Sequence, residues 1–181
     1  MIPTQEHIMQ LNASLYPTHV FTAPRFIVLG VNNICNLHCK MCDVGMQYNQ
    51  SNFYNNLMSS HPLNMPLELI KKIIDQTALY FPKTKIGYAF TEPLIYPHLI
   101  ESLSYAASKN VYTSVTTNAL NLQMKAKEIA VAGLNEINIS LDGPEVIHNE
   151  IRGHKSSFKR AIEGIEVLLA QEKPPKISVY C

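Results

Sequence analysis

The chain of 181 residues has no tryptophan, few charged residues and almost no excess of either sign of charge. Lysine and arginine together number 15 and aspartate and glutamate 14, so the formal net charge is +1 at pH 7. The basic residues are scattered along the chain, and the sequence therefore predicts no nucleic-acid partner. Because 46% of the residues are hydrophobic, the composition is that of a folded domain and not of a disordered segment.

Long hydrophobic runs are also missing from the sequence. A membrane-spanning helix needs about 18 or more consecutive apolar residues, and no run approaches that length. The first ten residues include Glu6 but no lysine or arginine, unlike the start of a secretory signal peptide. We therefore expect a cytoplasmic protein with no membrane partner.

Cysteine is scarce, but three of the four cysteines lie within eight residues. Cys35, Cys39 and Cys42 form the pattern C-x3-C-x2-C. In a chain without an export signal, cysteines this close together indicate a metal or redox site more often than disulfides. Thiolates are strong ligands for both iron–sulfur clusters and zinc.

The cysteine pattern leaves two kinds of metal site open. Three cysteines could hold an iron–sulfur cluster with one iron left without a protein ligand, which is a position for chemistry. A structural zinc site would need a fourth ligand, for which the candidates are His38, Asp43 and Cys181. The spacing favours the cluster, because structural zinc sites more often combine two C-x2-C pairs.

From residue 25 onward, strand-like segments alternate with amphipathic helical segments. The predicted strands are 26–31, 86–90, 111–117, 137–141 and 177–180. The predicted helices are 66–81, 96–109, 122–132 and 156–171. Strict alternation of this kind predicts an α/β fold with a parallel sheet and right-handed crossovers.

Two further stretches are predicted to contain no helix. Residues 1–24 are predicted to be a lead-in segment, because Pro3, Pro17 and Pro24 interrupt any helical pattern there. The polar, asparagine-rich stretch 47–60 is predicted to be a loop.

Polar segments follow the first four predicted strands. The cysteines come after the first strand, and the later segments are 89–94, 116–119 and 140–144. Because the carboxyl ends of parallel strands meet at one edge of the sheet, we expect these segments to lie together around one site.

These motifs together resemble the radical S-adenosylmethionine (radical SAM) family. The cysteine spacing is similar to the family's signature. Glu92-Pro93 resembles the end of its Gly-Gly-Glu-Pro segment, although Phe90 and Thr91 replace the two glycines. The segment 116–119 resembles Thr-Thr-Asn-Gly, with Ala119 in place of glycine. The segments 140–143 and 151–153 resemble the Ser-Leu-Asp-Gly and Ile-Arg-Gly of a SPASM/MoaA-like branch that contains peptide-maturing and cofactor-building members.

The resemblance implies two cofactors, a [4Fe-4S] cluster and S-adenosylmethionine (SAM). It implies that Cys35, Cys39 and Cys42 are the cluster ligands. It also assigns to SAM binding Met41, Glu92, Thr117, Asn118, Ser140, Asp142 and Arg152. The resemblance implies that Met41 packs against the adenine of SAM, that Glu92 binds its methionine amino group and that Arg152 pairs with its carboxylate.

The resemblance further implies an activity. Family members cleave SAM reductively to a 5′-deoxyadenosyl radical, which abstracts hydrogen from a substrate, and a flavodoxin or ferredoxin supplies the electron. The substrate that the resemblance implies is a small molecule or a peptide. The rival interpretation is a zinc-stabilised or catalytically inactive binding or assembly module on the same fold.

The fold that the resemblance implies is a partial (β/α) barrel of six β-α units, of which this chain holds about five. We therefore expect residues 25–181 to form a radical SAM core domain that is truncated at its carboxyl end.

Overall fold

The computed structural model describes residues 4–16, 18, 22–58 and 61–181. The strands within these residues are β1 (Phe26–Leu29), β2 (Lys85–Tyr88), β3 (Thr113–Thr117), β4 (Glu136–Ser140) and β5 (Lys176–Tyr180). They form one sheet in the order β1-β2-β3-β4-β5, and every neighbouring pair is parallel. The predicted parallel α/β sheet is therefore confirmed, and it is consistent with a partial (β/α) barrel.

The four predicted helices are also confirmed, with ends shifted by up to three residues. They are α3 (Leu67–Tyr80), α4 (Leu99–Ser108), α5 (Leu122–Val131) and α7 (Ser157–Leu169). Three further helices are α1 (Gln5–Leu15), α2 (Asn52–Met58) and α6 (Glu145–Arg152), and a short 3-10 turn covers Pro93–Ile95. Within the described residues, no helix is both long enough and apolar enough to span a lipid bilayer.

The prediction that residues 1–24 and 47–60 contain no helix is wrong. Helix α1 begins after Thr4, whose side-chain oxygen accepts a hydrogen bond from the His7 amide at 3.2 Å. The sequence places α1 between Pro3 and Pro17, which lie outside the described residues, so the prolines flank this helix instead of interrupting it. Helix α2 begins after Ser51, whose hydroxyl accepts from the Tyr54 amide at 3.2 Å.

Helix α6 is also absent from the sequence-based assignment. Pro144 precedes its first residue, and Gly153 follows its last residue with a left-handed φ of +65°. A proline at the start and a left-handed glycine at the end are ordinary boundaries of a short helix. The consequence for function is that Arg152 lies at the carboxyl end of a helix and not in a loop.

The hydrophobic core lies between the sheet and its covering helices. Ile137 and Ile139 of β4 are fully buried on the helix-covered face, together with Ile70 and Ile74 of α3. Burying each such side chain contributes about 1.5–3 kcal/mol to folding. Because side chains alternate along a strand, Asn138 and the other intervening residues of β4 lie on the opposite face, which is polar.

Candidate functional site

A cavity lies at the carboxyl ends of the strands, where the sequence predicts the site. It is lined by Cys35, Cys39, Met41, Cys42, Phe90, Thr91, Glu92, Thr116, Thr117, Asn118, Ser140 and Arg152. The structure therefore brings together every residue assigned to the site from the sequence, with the exception of Asp142. The cavity is built from the loop 35–42 that carries the three cysteines (the cysteine loop), the segments after β2 and β3, the end of β4 and the end of α6.

The three cysteines are free thiols on one side of this cavity. Cys39 is buried with an exposed fraction of 6%, and the half-buried Cys35 and Cys42 pack in the same small apolar cluster. The Cys42 amide donates to the Cys39 carbonyl at 3.1 Å. An all-sulfur donor set of this kind fits an iron–sulfur cluster.

The cysteine loop is held closely against its neighbours. A Cβ atom placed on Gly45 would lie 2.5 Å from the Cys39 backbone nitrogen, so only glycine allows this approach. A Cβ on Gly153 would lie 2.8 Å from the His38 carbonyl oxygen. The Lys40 amide also donates to the Ile151 carbonyl at 2.8 Å. The end of α6 is therefore packed directly on the cysteine loop.

Glu92 links the ends of β2 and β3. Its carboxylate is 1% exposed and accepts hydrogen bonds from the Thr117 hydroxyl at 2.7 Å and the Leu94 amide at 2.9 Å, both on Oε1. The Asn118 amide donates to Oε2 at 2.8 Å. Burial raises the pKa of Glu92, and these hydrogen bonds act in the opposite direction.

Two non-glycine residues near Glu92 adopt left-handed backbone conformations. Phe90 has φ of 81° and Ala119 has φ of 59°. The resemblance expects glycine at both positions. Glycine is favoured there because a residue with a side chain costs about 1–2 kcal/mol in a left-handed conformation. The Phe90 ring packs over Gly30, where an added Cβ would lie 3.2 Å from the ring.

Asn118 connects the end of β3 to the cysteine loop. Its side-chain amide donates to Asn36 Oδ1 at 2.8 Å, and its own Oδ1 accepts from the Leu120 amide at 2.9 Å. Leu120 in turn packs against Cys39. The segment after β3 therefore contacts the cysteine loop and also lines the cavity.

Arg152 joins the cysteine loop to the segment after β4. Its Nε and Nη2 donate to the two carboxylate oxygens of Asp142 at 2.6 and 2.8 Å, which is a bidentate ion pair. Its Nη1 donates to Cys39 Sγ at 3.8 Å. Asp142, which the resemblance assigns to the cofactor site, is not among the residues that line the cavity, but it is paired with Arg152, which is.

His148 is a site residue that the sequence reasoning missed. It is fully buried, its Nδ1 accepts from the Asp142 amide at 3.2 Å, and its ring packs edge-on against Phe158. Burial lowers the pKa of His148, which favours a neutral ring. The available signal was the spacing of His148 and Arg152, four residues apart on one face of a helix that ends at Gly153.

The described residues contain no group of three or more histidine, cysteine, aspartate or glutamate side chains arranged to hold one metal ion. In an iron–sulfur cluster each cysteine binds a different iron, so the ligand sulfurs lie farther apart.

A family model described as the Radical SAM superfamily matches residues 30–180. The chain belongs to this superfamily. Its members are enzymes that use a [4Fe-4S] cluster and SAM. The matched residues include the cysteine loop and the four strands β2 to β5.

Curated radical SAM relatives share limited identity with this chain. The GTP 3′,8-cyclase of Helicobacter pylori (strain HPAG1) is 32% identical over 143 residues, covering 78% of this chain and 42% of that protein. The AdoMet-dependent heme synthase of Methanosarcina barkeri is 28% identical over 159 residues, covering 86% of this chain and 42% of that protein. The chain thus spans about two fifths of the length of these relatives.

Solved structures share the fold at low identity. The structure described as native anSMEcpe with bound AdoMet matches with a TM-score of 0.67 and 17% identity, covering 86% of this chain and 43% of that one. Streptococcus suis SuiB bound to the precursor peptide SuiA matches with a TM-score of 0.68 and 19% identity, covering 97% of this chain and 37% of that one.

Proposed function

We propose that this chain is the catalytic core of a radical SAM enzyme in which Cys35, Cys39 and Cys42 bind a [4Fe-4S] cluster. The observation that carries the proposal is the single cavity shared by these three thiols and the polar ends of β2, β3 and β4. When bound, the cluster supplies an electron for the reductive cleavage of SAM, which begins hydrogen-atom abstraction from a substrate. Three protein ligands leave one iron for SAM.

The cavity residues divide the binding of SAM between them in this proposal. Glu92, fixed by its three hydrogen bonds, offers carboxylate charge to the amino group. Arg152 uses three N–H donors within the described residues, out of the five that a guanidinium carries, so its remaining edge suits the cofactor's carboxylate.

The other assigned residues line the rest of the cavity or hold its parts in place. Met41 is 58% exposed and lies on the cavity wall, where its thioether suits packing against the adenine. Ser140 ends β4 on the same wall and offers a hydroxyl to the ribose or the methionine part. Thr117 and Asn118 act through the placement of Glu92 and the cysteine loop.

The electron donor in this proposal is a flavodoxin or ferredoxin, and the substrate is a small molecule or a peptide. The range of substrates is supported by the relatives, since one is named for GTP, another for heme, and one solved structure carries a precursor peptide. The absence of a nucleic-acid partner and the cytoplasmic location stay predictions from the sequence.

The test is reductive cleavage of SAM by the anaerobically reconstituted protein. We expect the wild-type protein, given iron, sulfide, dithionite and SAM, to release 5′-deoxyadenosine and methionine, measured by mass spectrometry. Cys39→Ala should release neither, while Cys181→Ala is the matched control because Cys181 is exposed and outside the cavity. A wild-type protein that binds zinc in place of iron, or binds a cluster without cleaving SAM, would support the rival binding module.

A further inference from the structure

We propose that Arg152 sets the reduction potential of the cluster through its hydrogen bond to the sulfur of Cys39. This role is separate from any contact of Arg152 with SAM. It rests on the proposed function, because it requires a cluster that is bound by Cys39.

The contact between Arg152 and Cys39 is a charged hydrogen bond in a buried place. Nη1 of Arg152 lies 3.8 Å from Cys39 Sγ, and the two residues are 9% and 6% exposed. Hydrogen bonds to ligand sulfurs and charges near the cluster are two of the factors that set the potentials of iron–sulfur proteins. Both are stronger when water is excluded from the contact.

The guanidinium of Arg152 is held in the orientation that this hydrogen bond requires. Asp142 binds it at two points, and the side chains of both partners are largely buried. The backbone amide of Asp142 is itself fixed by His148 Nδ1. The planar fork of an arginine held in this way keeps Nη1 directed at the sulfur.

The positive charge of Arg152 lies beside one of the proposed ligand sulfurs, with Nη1 at 3.8 Å from Cys39 Sγ. Reduction adds a negative charge to the cluster, so the positive charge beside Cys39 favours the reduced form.

The test is a redox titration of the reconstituted protein without SAM, so that a role in SAM binding does not enter. The [4Fe-4S] signal is followed by electron paramagnetic resonance at poised potentials. We expect Arg152→Gln to lower the equilibrium constant for reduction of the cluster at least tenfold. For one electron this corresponds to a shift of about 59 mV toward negative potential. Arg152→Lys, which keeps the charge but not the fork, should give a shift between twofold and tenfold.

The matched control is Lys40→Gln. It also removes one positive charge, at the residue after Cys39, but the Lys40 side chain is 58% exposed and paired with Glu150 at the surface. Water and salt screen such a charge, so we expect a change below twofold.

The outcomes separate this inference from the proposed function. A wild-type protein that assembles no cluster would overturn both. A wild-type cluster whose potential changes no more in Arg152→Gln than in Lys40→Gln would overturn the role of Arg152 alone. If Arg152→Gln does not retain the cluster, Arg152→Lys is the deciding variant. An equilibrium constant for cluster reduction within twofold of the wild-type value in Arg152→Lys would overturn the inference.

Discussion

Two acidic side chains, Glu92 after strand β2 and Asp142 after strand β4, have different partners. Glu92 is 1% exposed and is bound by a hydroxyl and two backbone amides, all of them neutral. Asp142 is bound by a guanidinium. The first carboxylate ties two strand ends together through these hydrogen bonds. The second fixes a cation that reaches a cysteine sulfur.

Removing the Glu92 carboxylate, whose hydrogen-bond donors are neutral, should have the largest effect on stability. We expect Glu92→Ala to lower the free energy of unfolding by about 3 kcal/mol or more, because it leaves three buried donors without an acceptor. Glu92→Gln should lower it by about 1–2 kcal/mol, because the amide oxygen still accepts. Urea unfolding of the metal-free protein, followed by circular dichroism, measures both. A loss below about 1 kcal/mol in Glu92→Ala would contradict the role of Glu92 in joining β2 to β3.

Removing the Asp142 carboxylate, which is paired with the Arg152 guanidinium, should have a smaller effect on stability. We expect Asp142→Ala to lower the free energy of unfolding by about 2 kcal/mol, since the pair with Arg152 is mostly but not fully buried. Glu150→Ala is the matched control. It removes the exposed partner of Lys40, so the same unfolding measurement should show no change. Equal effects of the two substitutions would show that the Asp142 pair is no more important than a surface pair.

Protonation of His148 at acid pH should have a still smaller effect on the free energy of unfolding. His148 beside Asp142 has a folded-state pKa below its ordinary value because of burial, so the unfolded chain takes up a proton first as the pH falls. Its contribution to stability is complete above about pH 6.5 and declines as the pH falls toward the folded-state pKa.

The measurement is the loss of unfolding free energy between pH 7.5 and 5.5. We expect this loss to be about 1 kcal/mol smaller in His148→Phe than in the wild-type protein, below the limit of about 1.4 kcal/mol per pH unit for one group. An identical pH dependence in the two proteins would show that His148 is protonated equally in the folded and unfolded states.

The sequence was sufficient where structure follows from local patterns. Apolar and β-branched runs predicted the five strands, and the convergence of parallel strand ends then predicted that Cys39, Glu92 and Ser140 would share a cavity. The sequence was insufficient where structure depends on distant contacts. Arg152 reaches Cys39 across 113 positions, and this hydrogen bond, like the orientation of Asp142, cannot be read from spacing.

The missed helices have a similar explanation. Helix α2 is only seven residues long and lies in an asparagine-rich stretch whose composition favours a loop, and its first turn is stabilised by Ser51. Helix α6 is only eight residues long and is held by packing of its carboxyl end on the cysteine loop through Gly153 and Ile151. Short helices of this kind depend on tertiary packing more than on intrinsic propensity.

The most direct test of the central claim is whether SAM alters the cluster itself. Electron paramagnetic resonance spectra of the reduced, reconstituted protein would be recorded with and without SAM. The proposed function predicts a [4Fe-4S] signal that changes shape and g values when SAM is added, because three cysteine ligands would leave one iron open to the cofactor, with Glu92 and Arg152 in the same cavity to hold it. Spectra that are identical with and without SAM, in a protein with a full complement of iron and sulfide, would contradict it.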